Sequence, residues 1–146
     1  MGIDILPTQS EETQAPPPTP GRTTFAKSFV YAFEGVKYTT RTQRNMRVHL
    51  ILAVLAVGAG IWLRISPLEF ALIFVAIMNV IVAEMFNTVA EACVDLTTHE
   101  FNPLAKIAKD VAAGAVLLNA ALSVCIGLFV FVPHLVALAH HLMHHG

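Results

Sequence analysis

From Val111 to Val132 the chain runs for 22 residues without a formal charge. A helix of about 20 apolar residues crosses a hydrocarbon core about 30 Å thick, so this run has the length of a complete membrane span. Inside a bilayer no water satisfies open backbone groups, which leaves a helix as the workable form for a single segment. Composition agrees with that reading. Of the 146 residues 55% are hydrophobic and only 13% are charged, about half the charged share of a typical soluble domain. The expected fold class is an all-α membrane protein.

Two further apolar segments precede this run. Val48 to Leu63 is uncharged when His49 is neutral, and it lies between Arg47 and Arg64, whose long side chains can snorkel toward headgroups. It is slightly short for a span and should continue upstream into Arg41 to Arg47. Ile65 through Ala83, with Glu69 near its start, runs on into Glu84, Asn87 and Glu91 without a helix breaker. Three transmembrane helices is the economical reading. Such a unit has little interior in which to keep polar side chains from lipid, so an oligomeric helical bundle is expected. Its close approaches would use Gly58, Gly60, Ala112, Ala113 and Gly114.

Upstream, Phe25 to Tyr38 carries Phe25, Phe29, Ala32, Phe33 and Val36 on one helical face and Lys27, Tyr31, Glu34 and Tyr38 on the other. That is the pattern of an amphipathic surface helix lying in the membrane interface. Residues 1–24, which include Ala15-Pro16-Pro17-Pro18-Thr19-Pro20-Gly21, bury too little apolar surface to offset their ordering entropy and are expected to form a disordered tail. Their prolines and acids also argue against a secretory leader, so this end is expected in the cytoplasm. Arg41, Arg44 and Arg47 before the first span, and Lys106 and Lys109 between the second and third, mark the cytoplasmic sides. The 64–69 turn and the His-rich tail, 133–146, then face outward, with His134 beside Pro133 marking the end of the third span.

The net charge of −1 without a basic patch argues against nucleic acid as a partner. Cys93 and Cys125, set in apolar helical pattern, fit packing residues rather than a disulfide framework or a thiolate metal site. His140, His141, His144 and His145 stand at spacings that allow imidazoles to converge on Zn²⁺ or Cu²⁺, although a solvated polar tail is the simpler reading.

The chemistry concentrates in Glu84, Asn87, Glu91 and Asp95. At spacings of three, four and four they share one stripe of a helix. Ionisable groups at membrane depth are expensive and mark functional sites. Hard oxygen ligands suit Mg²⁺, which often takes one or two protein carboxylates and completes its shell with water and nucleotide phosphates. The plainer alternative is a helix leaving the membrane with a solvated acidic face. A second cluster, Asn102-Pro103-Leu104-Ala105-Lys106-Ile107-Ala108-Lys109-Asp110, opens the third span, with Asn102 as a cap and Pro103 early in the helix. Lys106 and Lys109 can meet phosphate oxygens as point charges. Lys106 reads first as an interfacial anchor, whereas Lys109 adjoins Asp110 at the start of the apolar run. Neither a Gly-x-x-x-x-Gly-Lys-Ser/Thr loop nor a Gly-x-Gly-x-x-Gly motif is present, so any nucleotide site here is of a non-standard kind.

Glu84-Met85-Phe86-Asn87-Thr88-Val89-Ala90-Glu91 with Val94-Asp95, and Asn102 through Leu118, closely resemble the signature of the prokaryotic diacylglycerol kinase family, which has an undecaprenol kinase branch. The resemblance extends to Phe33-Glu34-Gly35 and Arg44-Asn45-Met46-Arg47-Val48-His49, and covers about residues 25–132. It implies a membrane lipid kinase domain over that range: a homotrimer of three-helix subunits with an N-terminal surface helix, in the bacterial inner membrane, using Mg-ATP at the cytoplasmic face. Carried over by position, it implies Glu84 as catalytic base and Asn87 as an orienting residue. Glu91 is implied as a magnesium ligand on the nucleotide, and Asp95, Lys109 and Asp110 as nucleotide-side residues, with Lys109 on the phosphates.

One departure stands out. Where the family has Glu-x-Asn-x-Arg, this chain has Gln43-Arg44-Asn45-Met46-Arg47. Gln43 offers a neutral carbonyl oxygen in place of a second metal-binding carboxylate, which implies weaker metal binding unless another acid such as Glu34 substitutes. The stretch from Asn102 to Asp110 looks more like the undecaprenol kinase branch, but both acceptor lipids present a primary hydroxyl and no residue here reads the lipid. Two other classes also use a membrane stripe of this kind: a small proton-coupled transporter, since intramembrane carboxylates build proton relays, and a non-catalytic scaffold.

Overall fold

The computed structural model describes residues 25–98 and 100–145; the proline-rich segment expected to be disordered, 1–24, lies outside them. The described residues form four helices and no strand: α1 (Phe25–Thr42), α2 (Arg44–Leu63), α3 (Pro67–Thr97) and α4 (Pro103–His145). Three of them, α2, α3 and α4, are long and apolar enough to cross a membrane, as the sequence leads one to expect. The main packing is between α3 and α4, with α2 resting on α3 and α1 touching the start of α2 and part of α3.

The first helix runs past Tyr38 to Thr42. In its last turns Thr39, Thr40 and Thr42 bond their hydroxyls back to the carbonyls of Gly35, Val36 and Tyr38, at 3.1, 2.8 and 2.9 Å. Such residues have modest helix propensity. Gln43 then takes an extended conformation, φ −92° and ψ 121°, and α2 starts at Arg44. The break divides the basic cluster, leaving Arg41 in the last turn of α1 and Arg44 and Arg47 in the first turn of α2. The first span is therefore lengthened upstream as expected, to 20 residues, but not as far as Arg41. The aromatic face of α1 is not covered by the other helices: Phe25, Phe29 and Phe33 are 81%, 67% and 72% exposed. Exposed rings beside lysines suit the headgroup boundary.

A tight, doubly capped turn joins α2 to α3. Arg64 adopts the left-handed conformation, φ 55° and ψ 45°. Its N–H donates to Ile61 O at 3.2 Å and the N–H of Ile65 to Gly60 O at 3.1 Å, the paired bonds of a Schellman motif. On the α3 side, Ser66 Oγ accepts from the N–H of Glu69 at 3.3 Å, and Glu69 Oε2 accepts from the N–H of Ser66 at 2.7 Å, with Pro67 opening the helix. Glu69 is thus one half of a capping box. It also lies 3.7 Å from His134 Nε2, whose Nδ1 sits 2.9 Å from Val130 O.

That contact sets α4 level with the turn at His134, yet the helix does not stop there. It continues through Pro133 to His145, so the described part of the C-terminal segment is helical. Proline deletes one backbone bond, but Leu135, Ala137, Leu138, Ala139, Leu142 and Met143 beyond it are strong helix formers.

At this end the core is apolar, with Ile65, Ile73 and Val130 packed against Leu63, Phe70 and Phe131. Near the middle Ser123 Oγ donates to Ala76 O across α4 and α3 at 3.0 Å, a kind of interhelical bond common between membrane helices. At the other end the buried residues turn polar: Thr39, Glu84, Asn87 and Thr88, with Met46 fully enclosed. Both cysteines are exposed on the subunit, so neither packs within it. Most large apolar side chains, Trp62, Phe74, Leu118 and Phe129 among them, are likewise exposed. Such an apolar surface suits a lipid environment.

Gly60 is used inside the subunit, because a Cβ there would lie 2.9 Å from Ile65 Cδ1 and 3.0 Å from two atoms of the Phe70 ring. Gly58 and Gly114 have open space around them and remain available to a second helix. Gly60→Val should overpack the turn and cost about 1–3 kcal/mol. Thermal unfolding in detergent checks this; an unchanged midpoint would mean the turn does not pack against α2 this closely.

Candidate active site

The polar end of the bundle is built on the second half of α3. Glu84 is only 1% exposed and Asn87 is buried one turn on. Both carboxylate oxygens of Glu84, and Oδ1 of Asn87, are buried without a hydrogen-bond partner in the protein. Buried polar atoms are nearly always paired, and an unpaired carboxylate away from water is costly. Three such atoms on adjacent turns mark a place that receives a partner. They face a cavity of about 330 Å³, bounded by Asn45 and His49 from α2, by Glu84, Asn87 and Glu91 from α3, and by Ala113, Val116 and Ala120 from α4.

Glu91 is partnered differently. Its Oε1 accepts from Asn87 Nδ2 at 2.9 Å and its Oε2 from Gln43 Nε2 at 3.0 Å. Gln43 reaches across because, as the extended residue between α1 and α2, it makes no capping bond with its own side chain. The residue that departs from the family pattern is thereby brought to Glu91. Glu34, the alternative acid, is exposed on α1 and does not line the cavity.

No three His, Cys, Asp or Glu side chains among the described residues converge as a ready-made metal site. The donors still fit a hard divalent cation. Glu84 and Glu91 are carboxylates, Asn87 and Gln43 supply carboxamide oxygens, and such an ion needs only one or two protein carboxylates when phosphate supplies the rest.

A second cavity, about 540 Å³, lies between the end of α3 and the start of α4, where Asp95, Thr98, Lys106, Lys109 and Asp110 line it. Asn102 caps α4 as expected: its Oδ1 accepts from the N–H groups of Leu104 and Ala105, at 2.9 and 3.4 Å. Lys109 Nζ lies 2.6 Å from Asp95 Oδ1, and Lys106 pairs with Asp110 one turn along the helix. Both pairs are exposed, and exposed pairs contribute little to stability. Their lysines can exchange a carboxylate for phosphate at small cost.

The single stripe read from spacing thus serves two cavities, with Glu84, Asn87 and Glu91 on one and Asp95 on the other. They are one helical turn apart at Glu91 and Asp95, about 6 Å along the axis. Lys106, read first as an interfacial anchor, lines the second cavity together with Lys109. Asn45 and His49 were not singled out for chemistry from sequence; their spacing of four places them on one face of α2, which is the available signal. His49 and Ala120 also border a third, largely apolar cavity of about 230 Å³ between α2, α3 and α4. A polar site and an apolar groove therefore share a wall.

Comparison with known proteins bears on the same stretch of chain. Residues 30–131 match the family described as prokaryotic diacylglycerol kinase. The undecaprenol kinase of Bacillus subtilis is 43% identical over 111 residues, covering 76% of this chain and 90% of that protein. A diacylglycerol kinase of Synechocystis is 41% identical over 112 residues, 76% of this chain and 64% of the relative, so the chain spans somewhat less than two thirds of that protein. The diacylglycerol kinase of Escherichia coli K12 is 29% identical over 100 residues, 68% of this chain and 82% of the relative. The matched range contains every helix turn that builds the two polar cavities, and the chain belongs to the prokaryotic diacylglycerol kinase family.

Proposed function

We propose that this membrane lipid kinase transfers the γ-phosphoryl group of ATP to the primary hydroxyl of a membrane lipid, with Glu84 as the base. The observation that carries the reading is the buried Glu84 carboxylate, whose two oxygens have no partner and which faces a cavity adjoining an apolar groove. An acceptor with its hydrocarbon in the groove and its hydroxyl in the cavity would meet that carboxylate. Undecaprenol is the first acceptor to test, on the strength of the Bacillus subtilis relative, and diacylglycerol the second.

In this reading the triphosphate lies along the second cavity, where Lys109 leaves Asp95 to meet phosphate oxygens. Asp110 and Asp95 hold the two lysines in place before the nucleotide arrives. Glu84 accepts the lipid hydroxyl proton while the lipid oxygen bonds to the γ-phosphorus and the bond to the ADP oxygen breaks. Asn87 spans the two carboxylates, its Nδ2 fixing Glu91 and its Oδ1 turned to the cavity. Glu91, with Gln43 presenting its Oε1 after rotation of the carboxamide, would hold Mg²⁺. The ion supplies neutralisation of phosphate charge, and positioning does most of the remaining work in phosphoryl transfer. The site faces the cytoplasm of the bacterial inner membrane, where ATP is available, an orientation supported by the basic residues around it. A homotrimer would cover the exposed apolar faces.

Glu84→Gln should keep the size of the side chain and the fold, and lower lipid phosphorylation by about 10²–10⁴-fold, as loss of a general base typically does. Label transfer from ATP to extracted lipid measures it. Turnover within about tenfold of wild type would remove Glu84 from this role.

Gln43→Glu replaces an amide donor 3.0 Å from Glu91 with a second carboxylate. Two carboxylates so close repel each other, and a divalent cation relieves the repulsion. The variant should be less stable without Mg²⁺ and should reach half-maximal activity at lower Mg²⁺ than wild type. An unchanged magnesium titration would place Gln43 outside the metal shell.

A further inference from the structure

At the opposite end of α4 from the kinase cavities, the helix carries several histidines that the reaction does not use, His140 and His144 among them. His140 and His144 are four residues apart on a continuous helix. Side chains at that spacing are neighbours on one face, about 5–6 Å apart at Cβ. Their rings stand nearly parallel, with centroids 6.2 Å apart and an interplanar angle of 11°. Both residues are exposed, so an ion can reach them. No carboxylate among the described residues pairs with either ring.

We propose that His140 and His144 form a two-imidazole binding site for a divalent transition-metal ion of the Ni²⁺, Cu²⁺ and Zn²⁺ class. Imidazole nitrogen suits those ions, whereas Mg²⁺ takes oxygen. The preference separates this site from the carboxylate cavity by chemistry. Position separates it as well, since His144 lies 35 residues further along the helix than Lys109, about 52 Å along the axis. Two imidazoles bound to one ion at about 2.0–2.1 Å, with a near-tetrahedral angle, have ring centroids roughly 5 Å apart. The observed rings are stacked, so they need to close by about 1 Å and also turn out of parallel until their in-plane lone pairs converge on the ion, a χ2 rotation open to exposed histidines. The remaining coordination positions go to water or an added ligand. Binding ties two successive turns together on the far side of Pro133, where the helix has lost a backbone bond. The metal therefore stabilises the terminal segment of α4.

The test is calorimetric titration of Ni²⁺ into the full-length, untagged protein in detergent at neutral pH. Wild type should bind about one ion per chain. Loss of an outer-shell partner of a metal ligand already costs about 10–100-fold in affinity, so His140→Gln and His144→Gln should each weaken binding by at least about tenfold. His141→Gln, which alters the adjacent face, should leave the affinity close to wild type. Absence of saturable binding in the wild type overturns the proposal. So does a loss in His141→Gln as large as in His140→Gln, because the ligands would then lie on another stripe of the helix.

Discussion

The structure turns on one buried carboxylate. The Glu84 side chain of α3 is enclosed with α2 and α4, neither oxygen satisfied by the protein, and an uncompensated buried charge is among the most expensive groups a helix can carry. Nothing in the local sequence lowers that cost. Thr88 bonds the backbone carbonyl of Glu84, not its carboxylate. Asn87, one turn on, spends its donor on Glu91 and turns its own acceptor into the same cavity. Satisfaction therefore has to come from what enters, whether a hydroxyl, a cation or both. A lipid kinase supplies such visitors in each turnover.

The rest of the subunit keeps that carboxylate in place. The Schellman turn at Arg64 and the capping box at Ser66 and Glu69 close one end of the α2 and α3 hairpin over an apolar cluster. With that end fixed, α3 can run without interruption into the polar end, carrying Glu84, Asn87 and Glu91 on successive turns. The chain break at Gln43 delivers a carboxamide from the start of α2 to Glu91. Much of the exposed surface that remains is apolar, which suits a lipid environment.

Much of this was legible in the sequence, because the bilayer imposes simple length rules and a helix imposes simple spacing. The uncharged run ending at Val132 marked α4, and the three, four, four spacing from Glu84 to Asp95 marked the stripe. The cap at Asn102 followed from residue type. What spacing could not reveal was long-range: that the stripe divides between two cavities, and that Gln43 meets Glu91 across 48 positions. Sequence periodicity describes one helix at a time, whereas these features depend on how α2 and α4 lie against α3. Two local signals carry more than their plain reading. Ser66-x-x-Glu69 is a capping-box pattern, so Glu69 is more than an acid near the start of a span. Pro133 ends the uncharged run, but the good helix formers after it carry the helix itself on to His145.

The central claim is that the unpaired carboxylate serves phosphoryl transfer to lipid, and not proton movement or passive assembly. Stoichiometry tests it most directly. Purified wild-type protein in sealed lipid vesicles, supplied with Mg²⁺, γ-labelled ATP and either undecaprenol or diacylglycerol, should form labelled lipid phosphate and ADP one for one with at least one acceptor. Proton flux without ATP consumption, or ATP hydrolysis that leaves both lipids unlabelled, would contradict the account.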